Sequence, residues 1–220
     1  MTPAVEALRA PLYESGLIDG VTGGLLRPGG LALTDRAVAC CALPPGSRVL
    51  DLGCGTGATV NHLRSSLGLR AVGLDRSAVL LQRARRETAE APLLRADGAA
   101  LPLVTGTMDA VLMECVLSVT PNPSAVLAEC RRVLAPRGRL AMSDLYDRGA
   151  GCDELFGMLG RGGFAIQLWE DHSRALTELA ARLVMANGAL PPLCELKRGT
   201  RPGYFLLVAS KAGESEGEPS

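Results

Sequence analysis

Short apolar runs and amphipathic stretches alternate along the middle of this chain. Runs of aliphatic residues that are typical of buried strands occur at 48–52, 70–75, 91–96, 108–114 and 138–145. Helical spacing of the apolar positions fills most of the intervals between them, over 57–67, 77–90 and 123–134. Because strands that alternate with helices build right-handed βαβ units, the pattern predicts an α/β domain with a mostly parallel sheet and helices on both faces.

The pattern changes after Asp147. A helix, a strand, a long amphipathic helix and a closing strand are predicted in turn, at 152–161, 163–169, 171–187 and 203–210. We interpret 148–211 as a modified, substrate-side part of a single domain that spans 45–211.

The two ends of the chain differ from the middle. Residues 1–30 combine a helical start with a glycine-rich stretch, and Thr34 is placed to cap a helix that ends near Leu43. We expect an N-terminal helical lid over 1–44. The segment 212–220 contains three Glu and little that can be buried, so we expect a disordered tail there.

Composition narrows the class of protein. With 220 residues, 47% of them hydrophobic, the chain is large and apolar enough for a buried core. Its 23 basic and 23 acidic residues cancel, which excludes the positive field of a general nucleic-acid-binding protein. We find no secretory signal, no apolar run long enough to cross a membrane, and seven cysteines without metal-ligand spacing. We therefore expect a cytoplasmic protein with free thiols, no membrane span and no metal.

The candidate chemistry lies where the strand at 48–52 passes into the next helix. Gly53, Gly55 and Gly57 follow that strand and allow the backbone to approach a ligand. This spacing also fits the dinucleotide pattern G-x-G-x-x-G/A, or a tight turn without a ligand. Asp51 favours another ligand, because its carboxylate would repel a nearby pyrophosphate by about 2–4 kcal/mol. The same carboxylate would attract S-adenosylmethionine, because that cofactor carries a net positive charge.

Two further carboxylates end the second and third strands. Asp75 suits a bidentate acceptor for two ribose hydroxyls. Asp97 suits the amino group of an adenine, while the Gly98 and Ala99 amides offer donors to the ring. Each acid alone is more often a solvated loop residue, but three at successive strand ends predict an adenosine-cofactor site in the crevice of the sheet.

Five successive motifs within residues 45–147 resemble those of the class I S-adenosylmethionine-dependent methyltransferases. They are RVLDLGCGTG, AVGLD, ADGAALPL, MDAVLMECVLS and ECRRVLAPRGRLAMSDL. The subset with this pattern is typified by ubiquinone/menaquinone-biosynthesis and arsenite methyltransferases. The resemblance implies a Rossmann-like, seven-stranded sheet of order 3-2-1-4-5-7-6 whose last strand is antiparallel, and GYFLLVAS fits that strand.

The resemblance also implies which residues hold the cofactor. By this resemblance, Asp51 and the glycine loop bind the methionine portion of the cofactor, Asp75 binds the ribose, and Asp97 binds the adenine. Glu114 and Cys115 would border the transferable methyl group. The predicted cofactor-binding set is Asp51, Gly53, Cys54, Gly55, Gly57, Asp75, Arg76, Asp97, Gly98, Ala99, Glu114 and Cys115.

Three features depart from the family pattern. Many relatives carry His or Asn after the fourth strand, where this chain has the segment 114–118, ECVLS. Its cysteines do not match the thiols of arsenite methyltransferases, so we do not transfer that substrate. The segment WEDHS and the helix at 171–187 replace the usual hairpin between the last two strands. Together with RPGGLALTD, this part resembles an uncharacterised group of methyltransferase-like proteins from anaerobic bacteria.

The candidates for catalysis are few. Methyl transfer needs aligned reactants in a dehydrated site, and it needs a base only for some acceptors. His172 and Tyr146 are the catalytic candidates, with a capping histidine and ordinary loop packing as the alternatives. Arg27 is placed to reach the cofactor carboxylate from the lid, with a surface arginine beside a turn as the alternative.

These observations predict S-adenosylmethionine-dependent transfer of a methyl group to a small-molecule acceptor by in-line displacement. Two alternatives stay open, a cofactor-binding accessory protein without turnover and an NAD-dependent oxidoreductase. Nucleic acid is disfavoured as the acceptor by the cancelled charge and by the absence of an (N/D)PP(Y/F)-type element after the fourth strand.

Overall fold

The computed structural model describes residues 13–14, 24–25, 27–87, 91–188 and 200–212. Strands and helices alternate along most of this part of the chain. The strands are β1 (Arg48–Leu52), β2 (Arg70–Asp75), β3 (Leu93–Arg95), β4 (Met108–Glu114), β5 (Leu134–Asp147), β6 (Phe164–Asp171) and β7 (Pro202–Lys211). The α-helices are α1 (Gly30–Cys41), α2 (Ala58–Ser65), α3 (Ala78–Glu87), α4 (Pro123–Val133), α5 (Asp153–Arg161) and α6 (Ser173–Asn187), and a 3₁₀ helix spans Leu117–Val119.

The seven strands form one sheet in the order β3-β2-β1-β4-β5-β7-β6. The neighbours from β3 to β5 are parallel, while β7 is antiparallel to both β5 and β6. The predicted strand order and the antiparallel last strand are therefore confirmed. Because β1 to β5 run in one direction, their carboxyl ends meet at a single edge of the sheet.

Alternate residues of the strands point to opposite faces, and each face is covered by helices. On one face, Leu50 and Leu52 belong to a buried cluster that includes Val126, Leu127 and Cys130 of α4. The other face has its own cluster, in which Val49 of β1 joins residues of α1, α2 and α3. The central strands β1, β4 and β7 are buried on both sides over most of their length, which explains why their sequences are largely apolar.

The first described helix begins earlier than the sequence indicated. Helix α1 starts at Gly30 rather than after Thr34, and the preceding Gly29 has a φ of 78°. Thr34 lies fully buried inside the helix, and its hydroxyl donates to the Glu114 carboxylate instead of capping a backbone N–H. The prediction of Thr34 as the N-cap was wrong, because a tertiary partner 80 residues away takes its hydroxyl.

The other boundaries differ by a few residues from the predicted ones. Strand β3 is shorter than the predicted run at 91–96, and β6 continues to Asp171, so that α6 begins only at Ser173. Half of the predicted lid, at 1–12, 15–23 and 26, lies outside the described residues, as does the predicted tail over 213–220. Within the described ranges, no helix is both long and apolar enough to span a membrane.

Candidate functional site

A cavity of about 420 Å³ opens at the carboxyl ends of β1, β2 and β4. Ten of the twelve residues predicted to bind the cofactor line it: Asp51, Gly53, Cys54, Gly55, Asp75, Arg76, Asp97, Gly98, Glu114 and Cys115. The other two lie just behind this lining. Gly57 is the N-cap of α2, and the Ala99 amide donates to the Asp97 carboxylate at 2.9 Å. The structure thus brings together residues from three separate strand ends.

The loop after β1 needs glycine for a steric reason. Gly53 has a φ of 79°, and a Cβ there would lie 2.3 Å from Val116 Cγ2. The Gly53 and Cys54 amides both donate to the Leu74 carbonyl, at 2.7 and 3.1 Å. Gly57 then enters α2 with a φ of 78°. The loop is therefore pinned to β2 while its other side faces the cavity.

Asp51 is the most unusual acid of the cavity. It is only 2% exposed, and its Oδ2 atom has no hydrogen-bond partner among the described residues. Burial raises the pKa of this carboxyl well above its ordinary value, the charges of Glu114 and Asp75 raise it further, and Arg27 opposes them. A buried acceptor without a donor is costly, so this atom marks a place that a cationic ligand would complete.

Asp75 is held in place by backbone donors. The Gly55 amide donates to Oδ2 at 2.9 Å, and the Ser77 amide donates to Oδ1 at 2.8 Å. Burial raises the pKa of this carboxyl, and the two backbone hydrogen bonds partly offset that effect. Each carboxylate oxygen can accept a second hydrogen bond, so Asp75 still has capacity for a diol.

Glu114 carries a buried ion pair that the sequence did not reveal. Its Oε2 atom lies 2.9 Å from Nη2 of Arg27, and both side chains are only 7% exposed. The hydroxyls of Thr34 and Thr59 donate to the two carboxylate oxygens, at 2.9 and 3.1 Å. Arg27 also donates to Thr34. No spacing signal links these four residues, because the contacts join positions that are far apart in the chain.

Arg27 is placed at the cavity, although not as a surface residue. It lines the cavity beside Glu114, and its Nε atom is buried without a hydrogen-bond partner in the described part of the chain. The guanidinium therefore uses its terminal nitrogen Nη2 to bind Glu114 and Thr34. Its Nε–H has no hydrogen-bond acceptor among the described residues.

Part of the remaining wall of the cavity is apolar and is formed by Leu80, Val116, Val119, Pro121 and Val126. The hydroxyl-bearing Thr56, Thr59 and Thr120 also line it. At the rim, the Ser77 hydroxyl donates to the Glu14 carboxylate at 2.5 Å. The sequence did not single out Tyr13 or Glu14, which also line the cavity.

Cys115 is fixed by a buried hydrogen-bonded chain. Its Sγ atom lies 3.2 Å from Tyr204 Oη, and that hydroxyl donates to Ser143 Oγ at 3.1 Å. The backbone of Cys115 has a φ of 58°, which is uncommon for a residue with a side chain. Burial raises the pKa of the Tyr204 hydroxyl far above its ordinary value, so this hydroxyl stays protonated.

Tyr146 and His172 lie elsewhere at the same edge of the sheet, in what we term the C-terminal polar cluster (Tyr146, Glu170, Asp171 and His172). The Tyr146 ring packs edge-on against Trp169 with 5.6 Å between ring centroids. His172 Nε2 lies 2.9 Å from Glu170 Oε2. Neither candidate is among the described residues that line the cavity, so their catalytic role stays a prediction. Within the described ranges, we also find no His, Cys, Asp and Glu cluster that could hold a metal ion.

Comparison with known proteins gives the following matches. Residues 50–142 match a family model described as a methyltransferase domain. The 2-phytyl-1,4-naphtoquinone methyltransferase of Synechococcus elongatus is 36% identical over 155 residues, which are 65% of this chain and 64% of that protein. The demethylmenaquinone methyltransferase of Renibacterium salmoninarum is 35% identical over 100 residues, 46% of this chain and 42% of that protein. This chain therefore spans about half of the length of these curated relatives.

The fold also matches a solved structure over nearly its whole length. The crystal structure of the [4+2]-cyclase SpnF superposes with a TM-score of 0.78 and covers 94% of this chain and 95% of the cyclase. The sequence identity is 23%, so this similarity concerns the fold.

Proposed function

We propose that this chain, whose residues 50–142 belong to the class I S-adenosylmethionine-dependent methyltransferase family, binds S-adenosylmethionine in the cavity and transfers its methyl group to a small-molecule acceptor. A single observation carries the proposal. The cavity holds two buried polar atoms of opposite character that lack described partners, the Asp51 Oδ2 acceptor and the Arg27 Nε donor. An amino acid group supplies an ammonium for the first and a carboxylate for the second.

The remaining lining supports the other parts of the same molecule. The Asp75 carboxylate can accept further hydrogen bonds from the ribose hydroxyls. Asp97 and Gly98 line the part of the cavity where the adenine would bind. Apolar Leu80 and Val126 offer faces for a planar ring. The cavity volume of about 420 Å³ lies within the usual range for small-molecule sites.

The residues of the chain act by binding, orientation and exclusion of water. When bound, S-adenosylmethionine supplies a methyl group that its sulfonium activates. Asp51 and Arg27 would fix the amino acid end, and Asp75 would fix the ribose, so that the reacting carbon has one position. Val116 and Cys115 form part of the wall that keeps water from the reaction site.

We propose an apolar acceptor of the quinone class. Two curated relatives are named for methylation of a naphthoquinone and of demethylmenaquinone. In this chain, the wall formed by Val116, Val119 and Pro121 carries no charge, which suits such an acceptor. Glu114 is saturated by three donors and is therefore poorly suited to act as a base. A quinol, whose hydroxyl is already acidic, needs less help from a base than an alcohol or an ammonium does.

The test combines binding with turnover. We expect calorimetry to show binding of S-adenosylmethionine and S-adenosylhomocysteine, and Asp75→Asn to weaken both by roughly tenfold or more, because charge-assisted hydrogen bonds are lost. Release of S-adenosylhomocysteine should be seen with quinols in a panel that also contains phenols, thiols and amines. Binding of NAD(H) without binding of S-adenosylmethionine would overturn the proposal.

A second candidate is an accessory or non-methylating protein with the same cavity. Two observations favour it: the cavity offers no unsaturated base at Glu114, and a protein of the same fold is named as a cyclase. Cofactor binding without product for every acceptor in the panel would support this candidate over methyl transfer.

A further inference from the structure

The chain leaves the sheet abruptly where β4 ends. Glu114 is the last residue of β4 that pairs with β5, opposite Ser143, whereas β5 itself continues to Asp147. Cys115 then has a φ of 58°, which turns the chain away from β5. Asp144 thus follows the last paired position of β5, at the point where the chain departs.

The departing chain forms one wall of the cavity. We term residues 116–121 the post-β4 segment, and its middle is the 3₁₀ helix Leu117–Val119. Four of its six residues line the cavity: Val116, Val119, Thr120 and Pro121. The position of this segment therefore decides how wide the cavity is opposite the glycine loop.

The 3₁₀ helix takes its capping acceptor from a neighbouring strand. The first amides of a helix have no acceptor within it, and the N-cap residue Val116 makes no side-chain hydrogen bond to them. Asp144 Oδ2 accepts from the Ser118 amide at 2.9 Å, and Asp144 Oδ1 accepts from the Leu145 amide at 2.7 Å. One carboxylate thus joins the backbone of β5 to the middle of the post-β4 segment.

Burial makes this connection strong. Asp144 is only 2% exposed. A carboxylate buried that deeply is costly unless it is hydrogen-bonded, and its hydrogen bonds to N–H groups are about twice as strong as neutral ones. The contact with Ser118 is therefore one that the folded chain keeps.

The post-β4 segment is also limited on the side of the glycine loop. Val116 packs against that loop so closely that a Cβ at Gly53 would lie 2.3 Å from Val116 Cγ2. This contact stops the segment from moving closer to the loop, while the hydrogen bond from Ser118 opposes its displacement relative to β5. Together the two contacts fix the place of the apolar wall.

We propose that Asp144 is a positioning residue for the methyl acceptor, because its hydrogen bond to Ser118 fixes the wall against which the acceptor packs. This inference rests on the proposed function, in which that wall faces an acceptor of the quinone class. A misplacement of about 1 Å can lower the rate of an aligned reaction by about a hundredfold. Asp144 is not among the described residues that line the cavity, so it acts through Ser118.

Asp147 offers a matched control on the same strand. Its Oδ1 atom accepts from the amides of Gly149 and Arg201, at 2.8 and 3.1 Å, so it also holds loop backbone through two amides. None of these three residues is among the described residues that line the cavity. An effect of loop anchoring in general should appear in variants of both acids, whereas an effect on the acceptor should appear only at Asp144.

The test measures the affinities for cofactor product and acceptor separately. S-adenosylhomocysteine is titrated by calorimetry, and the saturated protein is then given 2-methyl-1,4-naphthoquinol in anaerobic equilibrium dialysis with dithionite, so that no turnover is needed. We expect Asp144→Asn to weaken quinol binding by about tenfold, because one of two backbone amides loses its acceptor, and to leave S-adenosylhomocysteine binding within about twofold. Asp147→Asn should leave both affinities within about twofold.

A double-mutant cycle with Val119 shows whether Asp144 acts through the wall. Val119→Ala shortens one side chain of the wall and should weaken quinol binding by about fivefold. In the Asp144→Asn/Val119→Ala double variant, the loss should stay within about twofold of that of Asp144→Asn alone, because a displaced wall no longer presents Val119. Additive losses would show two independent effects and overturn the proposal.

Hydrogen exchange tests the contact itself without any variant. The Ser118 amide of the wild type should exchange at least about tenfold more slowly than exposed loop amides. Fast exchange at Ser118 would overturn the proposal. So would loss of cooperative thermal unfolding in Asp144→Asn, which would give Asp144 a purely structural role.

The remaining outcomes separate this inference from the proposed function. A wild-type chain that does not bind S-adenosylhomocysteine would overturn the proposed function, and this inference with it, in the first titration. If that binding is present, equal quinol affinities in the wild type and in Asp144→Asn would overturn this inference and leave the cofactor site in place. Absence of quinol binding by the wild type would have the same consequence.

Discussion

The cavity and the C-terminal polar cluster lie at the same edge of the sheet, and both contain ionisable side chains. In the cluster, Glu170 binds both Arg36 and His172, so that each group has a partner. In the cavity, Asp51 Oδ2 and Arg27 Nε are buried without partners among the described residues. Because an unsatisfied buried polar group costs about 1–3 kcal/mol, the cavity is the arrangement that a ligand would complete. Trp169 Nε1, beside Tyr146, is a third buried polar atom without a described partner, but it is a neutral donor. The cavity differs because its unmet groups belong to ionisable side chains of opposite charge.

The largest effect is expected at the buried ion pair between Arg27 and Glu114, which lines the cavity. Glu114→Gln leaves the Arg27 guanidinium buried without its counter-charge, so we expect the free energy of unfolding to fall by about 3–5 kcal/mol. Urea denaturation measures this. The matched control is Glu178→Gln, which breaks an exposed pair with Arg174 and should change stability by less than about 1 kcal/mol. A loss of stability as small as that of the control would show that the buried ion pair stabilises the fold no more than an exposed one does.

The next effect concerns the unpaired acid. We expect Asp51→Asn to weaken S-adenosylmethionine binding by about 1.5–3 kcal/mol, since a charge-assisted contact with the ammonium is lost. Calorimetry on the wild type and the variant gives the difference. His172→Asn, in the C-terminal polar cluster, serves as the control and should leave the affinity within about twofold. Equal losses in both variants would remove the distinction between the two regions.

The same acid should make stability depend on pH. The pKa of Asp51 is higher in the folded protein than its ordinary value of 3.8, so the folded state binds more protons than the unfolded state above that pH. Stability of the cofactor-free protein should therefore fall as the pH rises from about 4 through the raised pKa, by up to about 1.4 kcal/mol per pH unit. Urea denaturation at a series of pH values should show a flatter profile for Asp51→Asn. Identical profiles would contradict the raised pKa.

The smallest effect is expected at the edge of the C-terminal polar cluster. Tyr146→Phe keeps the ring packing against Trp169 and removes only a hydroxyl, so we expect a stability loss of about 0.5–1.5 kcal/mol. Cofactor affinity, measured by calorimetry, should stay within about twofold. A tenfold loss of affinity would join this cluster to the cofactor site, whereas a fall in turnover alone would support the predicted catalytic role of Tyr146.

The alternation of strands and helices followed from local pattern, whereas the strand order and the antiparallel last strand were implied by the resemblance to a known family. The sheet confirms the strand order and the antiparallel last strand, and residues 50–142 match a methyltransferase-domain family model. Asp51 and Asp75 could be found because each lies at the carboxyl end of a predicted parallel strand, and parallel strands bring such ends together. The prediction that Thr34 caps the first helix was wrong, because its hydroxyl makes a buried tertiary hydrogen bond to Glu114 instead.

The sequence by itself determined the sheet, the glycine loop and the acids at the strand ends, because these features depend on periodicity and on short-range geometry. Only the tertiary structure decided how charges are paired. Arg27 meets Glu114, and Thr34 and Thr59 complete the carboxylate, through contacts between distant parts of the chain. It also decided that Asp144 holds the Ser118 amide. Such contacts carry no periodic signal, since their free energy depends on burial and proximity that exist only after the chain has folded.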